Sequence, residues 1–139
     1  EILEYPMVDR DPLPRWTFGR ITLLGDAAHP MYPRGSNGAG QAIIDARHLT
    51  GQIKKGGATE QALQQYEAVR GPATANVVLA NRNDLPDAIL REVWQRSGGN
   101  RFERIEDVIS PAELQAISDR YKKVTGFDRE SLKTRPSFV

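Results

Sequence analysis

Residues 23–42, with the sequence LLGDAAHPMYPRGSNGAGQA, constrain the fold of this chain more than any other segment. A short apolar run ends at Gly25-Asp26, a loop with Pro30 and Pro33 follows, and a glycine-rich stretch leads into a predicted helix. Crevices at the carboxyl ends of buried strands bind nucleotide-like ligands in α/β proteins. A helix N-terminus adds unpaired N–H groups and about half a positive charge. The segment therefore predicts a strand–loop–helix unit that binds an anionic or electron-rich ligand.

This segment closely resembles the second FAD-contacting motif of single-component flavoprotein aromatic hydroxylases, the class of salicylate and p-hydroxybenzoate hydroxylases. With HPMYP at 29–33 and GSNG at 35–38, it is most similar to the branch that includes phenazine-modifying hydroxylases. The resemblance extends from about Pro6 to the end of the chain and is strongest over 16–49. It implies an enzyme that hydroxylates a small aromatic substrate with FAD, NAD(P)H and O2.

The resemblance also implies which residues form the site. Asp26 is similar to the carboxylate that hydrogen-bonds an FAD ribityl hydroxyl, and the peptide at Pro33 is expected beside the isoalloxazine ring. The residues expected to contact the cofactor are Gly25, Asp26, Pro33, Gly35, Ser36, Asn37 and Gly38. The residues expected to face the substrate are Met31, Tyr32 and Pro33. No residue of the chain is expected to act as a catalytic acid, base or nucleophile.

Several of these residues have a structural alternative. Asp26 could cap the turn after the strand, and Asn37 is a candidate cap for the helix, as is Ser36. His29 is of the residue type that titrates near neutral pH, but the resemblance indicates that it anchors the loop. Arg70 is similar to a family position, although it could simply tie two helices together.

Composition excludes several classes of function. The 139 residues include 19 basic and 18 acidic side chains with no large basic face, so no nucleic-acid partner is expected. The chain has no cysteine, which excludes disulfides and thiolate catalysis and favours a cytoplasmic location. His29 and His48 lie on different predicted elements, so no metal site is expected. No apolar run approaches the roughly 20 residues that span a membrane.

The chain lacks the GxGxxG turn that binds the FAD pyrophosphate in such enzymes. We therefore interpret it as the C-terminal fragment of an α/β, FAD/NAD(P)-binding flavoprotein monooxygenase, whose missing N-terminal FAD-binding portion is its main partner. Residues 1–20 would end the substrate domain and form a linker, 21–55 the strand–loop–helix unit, and 56–139 the C-terminal helices. The sequence leaves open whether the protein forms a homodimer.

Periodicity predicts a mainly helical fold with one or two short strands. The strands are expected at 1–8 and, buried, at 21–24. The first helix is expected over 37–54 with one buried stripe, formed by Ala42, Ala46, Leu49 and Ile53.

Local signals predict three further helices. One begins after Thr59 and is expected to kink or break at Pro72. The next is expected from Pro86 to about Arg96. The last begins with a Ser110–Glu113 capping box and ends near residue 124, before Gly126. The tail after Phe127 carries no periodic signal.

Two other functions are open at this point. The chain could belong to an FAD-dependent oxidase or reductase of the same superfamily, or it could be a non-enzymatic helical domain that docks a partner helix. The glycine-rich turn favours a flavin protein over the docking domain. Nothing in the sequence separates a hydroxylase from an oxidase.

Overall fold

The structure is a computed structural model that describes residues 2–4, 6–33, 35–83 and 87–134. Within these ranges, two short strands precede five α-helices. The strands are β1 (Thr17–Phe18) and β2 (Ile21–Thr22), and the helices are α1 (Gly38–Gly56), α2 (Glu60–Arg82), α3 (Ala88–Ser97), α4 (Pro111–Thr125) and α5 (Arg129–Thr134). Single 3-10 turns lie at Gly25–Ala27 and Ile105–Asp107. The prediction of a mainly helical chain is confirmed.

A small aromatic core joins the strands to the helix pair α1–α2. Trp16 and Tyr66 are fully buried, with ring centroids 5.8 Å apart, and Ala28 completes the cluster. The Tyr66 hydroxyl donates a hydrogen bond to the Leu23 carbonyl at 3.2 Å. This bond joins the segment that follows β2 to helix α2.

The strand predictions are only partly confirmed. β1 and β2 form an antiparallel pair with Thr17 opposite Thr22, and Glu67 of α2 accepts the Thr17 N–H at 2.7 Å. No strand forms in the described part of residues 1–8. The second strand ends at Thr22 rather than Leu24, and Ile21 is 68% exposed rather than buried. A four-residue apolar run cannot distinguish a buried strand from an exposed hairpin edge.

The apolar stripe predicted for α1 is only partly confirmed, since Ala42, Leu49 and Ile53 are half-buried and Leu49 packs against the aromatic core. Ala46 is exposed, whereas the buried residues of the helix are Gln41, Asp45 and Gly51. Asp45 has no exposed surface. A hydrophobicity pattern misses this face because its burial depends on hydrogen bonds between polar side chains rather than on apolar contact.

Helix α2 continues through Pro72, so the predicted break is wrong, while a kink at this residue stays a prediction. It runs from Glu60 to Arg82 as one element, although Pro72 cannot donate a backbone hydrogen bond. Tyr66 on one side of the proline and Val77 on the other are both buried. Packing along the buried face therefore outweighs the local cost. The predicted Thr59 cap is confirmed, since its hydroxyl accepts the Ala62 N–H at 3.3 Å.

The two remaining helix predictions agree with the structure where it describes them. Pro86 lies outside the described residues, and the helix predicted there runs from Ala88 to Ser97. The capping box of α4 is present: Ser110 Oγ accepts the Glu113 N–H at 3.3 Å, and Glu113 Oε2 accepts the Ser110 N–H at 3.0 Å. Gly126 ends α4 in a left-handed conformation, with φ of 73°.

Helix α5 was not predicted. Its 6 residues are too few to show a helical period. The signal that marks it is the cap rather than the period. Asp128 Oδ1 accepts the backbone N–H groups of Glu130 at 3.1 Å and Ser131 at 3.0 Å.

Candidate functional site

Gly25 places the site loop against α1. Its backbone is left-handed, with φ of 59°, and its N–H donates to Asp45 Oδ2 at 3.2 Å. A Cβ at this position would lie 3.2 Å from the Ala42 Cβ. Positive φ and close approach to a helix both favour glycine. Gly25 therefore positions the next residue, Asp26, whose side chain is exposed.

Asp26, Met31 and Gly38 converge at the first turn of α1. A Cβ built on Gly38 would lie 3.9 Å from Asp26 Oδ1 and 3.9 Å from Met31 Cγ. No side chain at Gly38 fills the space between them, so a ligand can approach the backbone there. The sequence motif thus brings an acceptor carboxylate, a thioether and a helix N-terminus to one place.

The N-terminus of α1 has no side-chain cap. Asn37 occupies the N-cap position, but its side chain makes no hydrogen bond to the first turn. Instead its Nδ2 donates to the Tyr121 hydroxyl. The expectation that Asn37 caps this helix is therefore wrong. An uncapped N-terminus keeps backbone N–H groups and the positive end of the helix dipole available to a ligand.

One tight turn contains the remaining predicted cofactor residues, which are Pro33, Gly35 and Ser36. The Ser36 N–H donates to the Pro33 carbonyl at 3.1 Å, and both residues are exposed. Ser36 has a positive φ of 54°, which is uncommon for a residue with a side chain. Exposed Gly35 completes the turn. Of the residues predicted to face substrate, Met31 and Tyr32 are half-buried and Pro33 is exposed. Their roles toward cofactor and substrate stay predictions.

Tyr121 is a site residue that the sequence did not reveal. Its hydroxyl accepts from Asn37 and donates to Asn81 Oδ1 at 2.8 Å. A Cβ on Gly35 would overlap this hydroxyl, and Gly35 has a φ of +84°. Burial raises the pKa of Tyr121, only partly offset by the hydrogen bond from Asn37, so the hydroxyl stays protonated at neutral pH. No local pattern links positions 84 residues apart.

Beneath the loop, Asp45 is the centre of a buried polar network. Its Oδ2 lies 2.5 Å from His29 Nε2, and its Oδ1 lies 2.6 Å from Arg70 Nε. Burial by itself raises the pKa of Asp45, but the hydrogen bonds from His29 and Arg70 outweigh it and hold the pKa below the usual value of 3.8. Asp45 is therefore a carboxylate at neutral pH. These contacts fit the expected anchoring role of His29.

Arg70 ties the two long helices together. Its Nη2 donates to Gln41 Oε1 at 2.7 Å, while its Nε holds Asp45. Gln41 Nε2 in turn donates to the Thr125 carbonyl of α4 at 3.0 Å. Of the two interpretations of Arg70, the structure shows the structural one.

A cavity of about 600 Å³ lies on another face of α1, between that helix, α2 and the end of α4. Its lining includes Ile44, Arg47, Val69, Val124 and Phe127. None of the predicted cofactor or substrate residues lines it. The predicted site is therefore an exposed surface of the described residues rather than this cavity.

The described ranges contain no group of three or more histidine and acidic side chains that could hold a metal ion. Among the helices of those ranges, none has the length and apolar content needed to cross a membrane.

Residues 8–81, which contain the hairpin, the site loop and both long helices, match the FAD binding domain family. This match covers more than half of the chain, and the chain belongs to this family. FAD is accordingly the cofactor that its fold and site imply. The donor set at the first turn of α1 suits this group, since a ribityl chain offers hydroxyls to a carboxylate and a flavin ring offers acceptors to N–H groups.

Several enzymes are similar in sequence. A phenazine 1,6-dicarboxylic acid hydroxylase from Lysobacter antibioticus is 50% identical over 124 residues, which cover 89% of this chain and 28% of that enzyme. A 6-hydroxynicotinate 3-monooxygenase from Bordetella bronchiseptica is 43% identical over 79 residues, 55% of this chain and 21% of the relative. A 3-hydroxybenzoate 6-hydroxylase from Aquipseudomonas alcaligenes is 45% identical over 76 residues, which cover 55% of this chain and 19% of that enzyme.

The chain spans less than a third of the length of these relatives. The resemblance to aromatic hydroxylases, drawn from the motif, is confirmed.

Proposed function

We propose that this chain is part of a flavoprotein monooxygenase that hydroxylates a small aromatic substrate with FAD, NAD(P)H and O2. In this proposal, the described residues contact the ribityl chain and the isoalloxazine ring of FAD. One observation carries the proposal: exposed Asp26 and half-buried Met31 meet Gly38 at an uncapped helix N-terminus, within residues that match the FAD binding domain.

Asp26 orients the cofactor in this proposal. A carboxylate accepts hydrogen bonds from ribityl hydroxyls and fixes the chain without entering the reaction. The N–H groups of Gly38 and its neighbours in the first turn of α1 face the electron-rich edge of the ring. When bound, the flavin supplies the redox chemistry, while the protein supplies orientation and electrostatics.

The aromatic substrate would approach the same loop at Met31, Tyr32 and Pro33. The relatives named above act on a phenazine dicarboxylic acid, a hydroxynicotinate and a hydroxybenzoate, all of them aromatic acids. These names support an electron-rich aromatic compound as the substrate class and favour a hydroxylase over an oxidase. Residues outside this chain would supply the pyrophosphate and adenosine contacts.

The substitution Asp26→Ala in the intact flavoprotein tests the proposal. Hydrogen bonds to a charged group contribute roughly 1.5–3 kcal/mol, so FAD affinity should fall about ten- to over a hundredfold with the fold intact. Flavin content after purification and FAD titration by fluorescence measure the effect. Asp107→Ala is the matched control, because Asp107 is also an exposed carboxylate in a 3-10 turn. Full flavin content and unchanged affinity in Asp26→Ala would contradict the proposal.

A further inference from the structure

The Tyr121 hydroxyl links three elements in one hydrogen-bonded chain. It accepts from Asn37 Nδ2, at the start of α1, and donates to Asn81 Oδ1, near the end of α2, at 2.8 Å. Asn81 is only 1% exposed, so the far end of this chain is fixed in the core. The Asn37 Nδ2 is therefore a donor to α4.

This arrangement holds the Asn37 side chain away from its own helix. An asparagine at an N-cap usually accepts a backbone N–H from the first turn and thereby satisfies it. Here the side chain makes no such bond. The first-turn N–H groups of α1 consequently keep their capacity to bind a ligand.

Residues at the C-terminal end of α4 and just beyond it lie close to the loop and to the start of α1. The Gly35 backbone passes so close to Tyr121 that a Cβ there would overlap the phenol. A Cβ on Gly40 would lie 2.8 Å from Phe127 Cζ. The Thr125 carbonyl accepts from Gln41 Nε2 at 3.0 Å. Tyr121 and Thr125 of α4, and Phe127 just beyond its end, thus lie against the loop and the first turns of α1.

We propose that Tyr121 is a positioning residue for FAD, which it does not touch, acting through Asn37 to hold the 35–38 loop and the free N–H groups of α1 in the geometry that receives the flavin ring. The inference deepens the proposed function and rests on it. It assigns a role in cofactor binding to α4, which lies outside residues 8–81 of the family match.

The test uses Tyr121→Phe, Asn37→Ala and the double variant in the intact flavoprotein. Because a hydrogen bond of this kind contributes roughly 0.5–1.5 kcal/mol, each single variant should weaken FAD binding about two- to thirteenfold. The double variant should bind no more weakly than the worse single variant, since both remove the same link. The midpoint potential of bound FAD should become more negative, because N–H groups displaced from the ring stabilise added negative charge less.

Tyr66→Phe is the matched control. It also removes a buried tyrosine hydroxyl with a hydrogen bond, the one to the Leu23 carbonyl at 3.2 Å, but it leaves α4 and Asn37 untouched. This control should lower thermal stability while leaving FAD affinity and midpoint potential as in the wild type. A general loss of stability therefore cannot imitate the expected result.

Unchanged FAD affinity and potential in Tyr121→Phe, or strictly additive losses in the double variant, would overturn the inference and leave the proposed function standing. Failure of the wild-type protein to bind FAD would overturn the proposed function and the inference with it. Should Tyr121→Phe not fold, Asn37→Ala decides alone: wild-type affinity and potential in that variant overturn the inference, and the expected loss supports it.

Discussion

At the scale of single residues, Asp45 connects the site loop to the helices beneath it. Its carboxylate holds Gly25 through the backbone N–H, His29 through Nε2 and Arg70 through Nε. A fully buried charge is costly unless it is paired and hydrogen-bonded. The exposed Asp26 can therefore be presented to a ligand because a second, buried carboxylate fixes the turn that carries it.

The lowered pKa of Asp45 predicts how stability depends on pH. The carboxylate titrates below the usual 3.8 in the folded chain, so its contribution is fully present above the unfolded-state pKa and is lost as pH falls through the folded value. Unfolding by urea at pH 7, 5 and 3 should show a loss of stability in the acid range. In Asp45→Asn, stability should already be lower at pH 7 and should fall less on acidification. An equally steep acid loss in that variant would exclude Asp45 as its source.

His29→Ala separates an anchoring role from a catalytic one. The buried Asp45 would lose a hydrogen-bond donor, at a cost of roughly 1–3 kcal/mol in unfolding free energy. The pH profile of turnover of the intact flavoprotein should keep its shape, because His29 is buried under the loop and paired with Asp45. Disappearance of an ionisation near neutral pH from that profile would instead make His29 part of the chemistry.

At the scale of elements, the helix caps determine where α2, α4 and α5 begin. Thr59 caps α2, the Ser110–Glu113 box caps α4, and Asp128 precedes α5. The hydrogen bonds from Ser110, with a further one from Arg96, lower the pKa of Glu113 to about 2, so the box stays intact at neutral pH. The position of α4 matters most, because its far end carries Tyr121.

Ser110→Ala tests the cap of α4. The Glu113 N–H loses its acceptor, and the typical cost of such a loss is about 1 kcal/mol of unfolding free energy. Ser118→Ala, in the interior of the same helix, is the control and should be neutral or slightly stabilising, since alanine has the higher helix propensity. Urea unfolding monitored by circular dichroism measures both variants. Equal effects at the two positions would rule out a special contribution of the cap.

Some features of these elements could be predicted from the sequence, and others could not. The caps at Thr59 and Ser110 were predictable because the partners lie three residues apart. The buried face of α1 was not, since Asp45 is buried by pairing with His29 and Arg70, 16 and 25 residues away. Pairing between residues this far apart produces no periodic pattern in the sequence. The hairpin was missed for a related reason, because burial of a four-residue apolar run depends on its neighbours.

At the scale of the whole molecule, the mainly helical fold predicted from the sequence is confirmed, and the roles of the motif residues at 23–42 stay predictions. The structure brings Asp26, Met31 and Gly38 together at the first turn of α1. The position of α4 beside the loop could not be predicted from the sequence, because the contact of Tyr121 with Asn37 joins residues 84 positions apart. The predicted site is thus a surface formed by the loop and the first turn of α1, with α4 packed against one side of it.

This exposed surface predicts weak cofactor binding by the 139-residue chain on its own. The contacts proposed for the described residues are those to the ribityl chain and the ring, and the sequence has no GxGxxG turn to bind the pyrophosphate. Such contacts supply a few kcal/mol, comparable to affinity of about 1 mM. Isothermal titration of FAD into the isolated chain should therefore give little or no heat at micromolar concentrations, with the intact flavoprotein as the positive control. Micromolar binding by the chain alone would show that residues 1–139 contain a complete cofactor site.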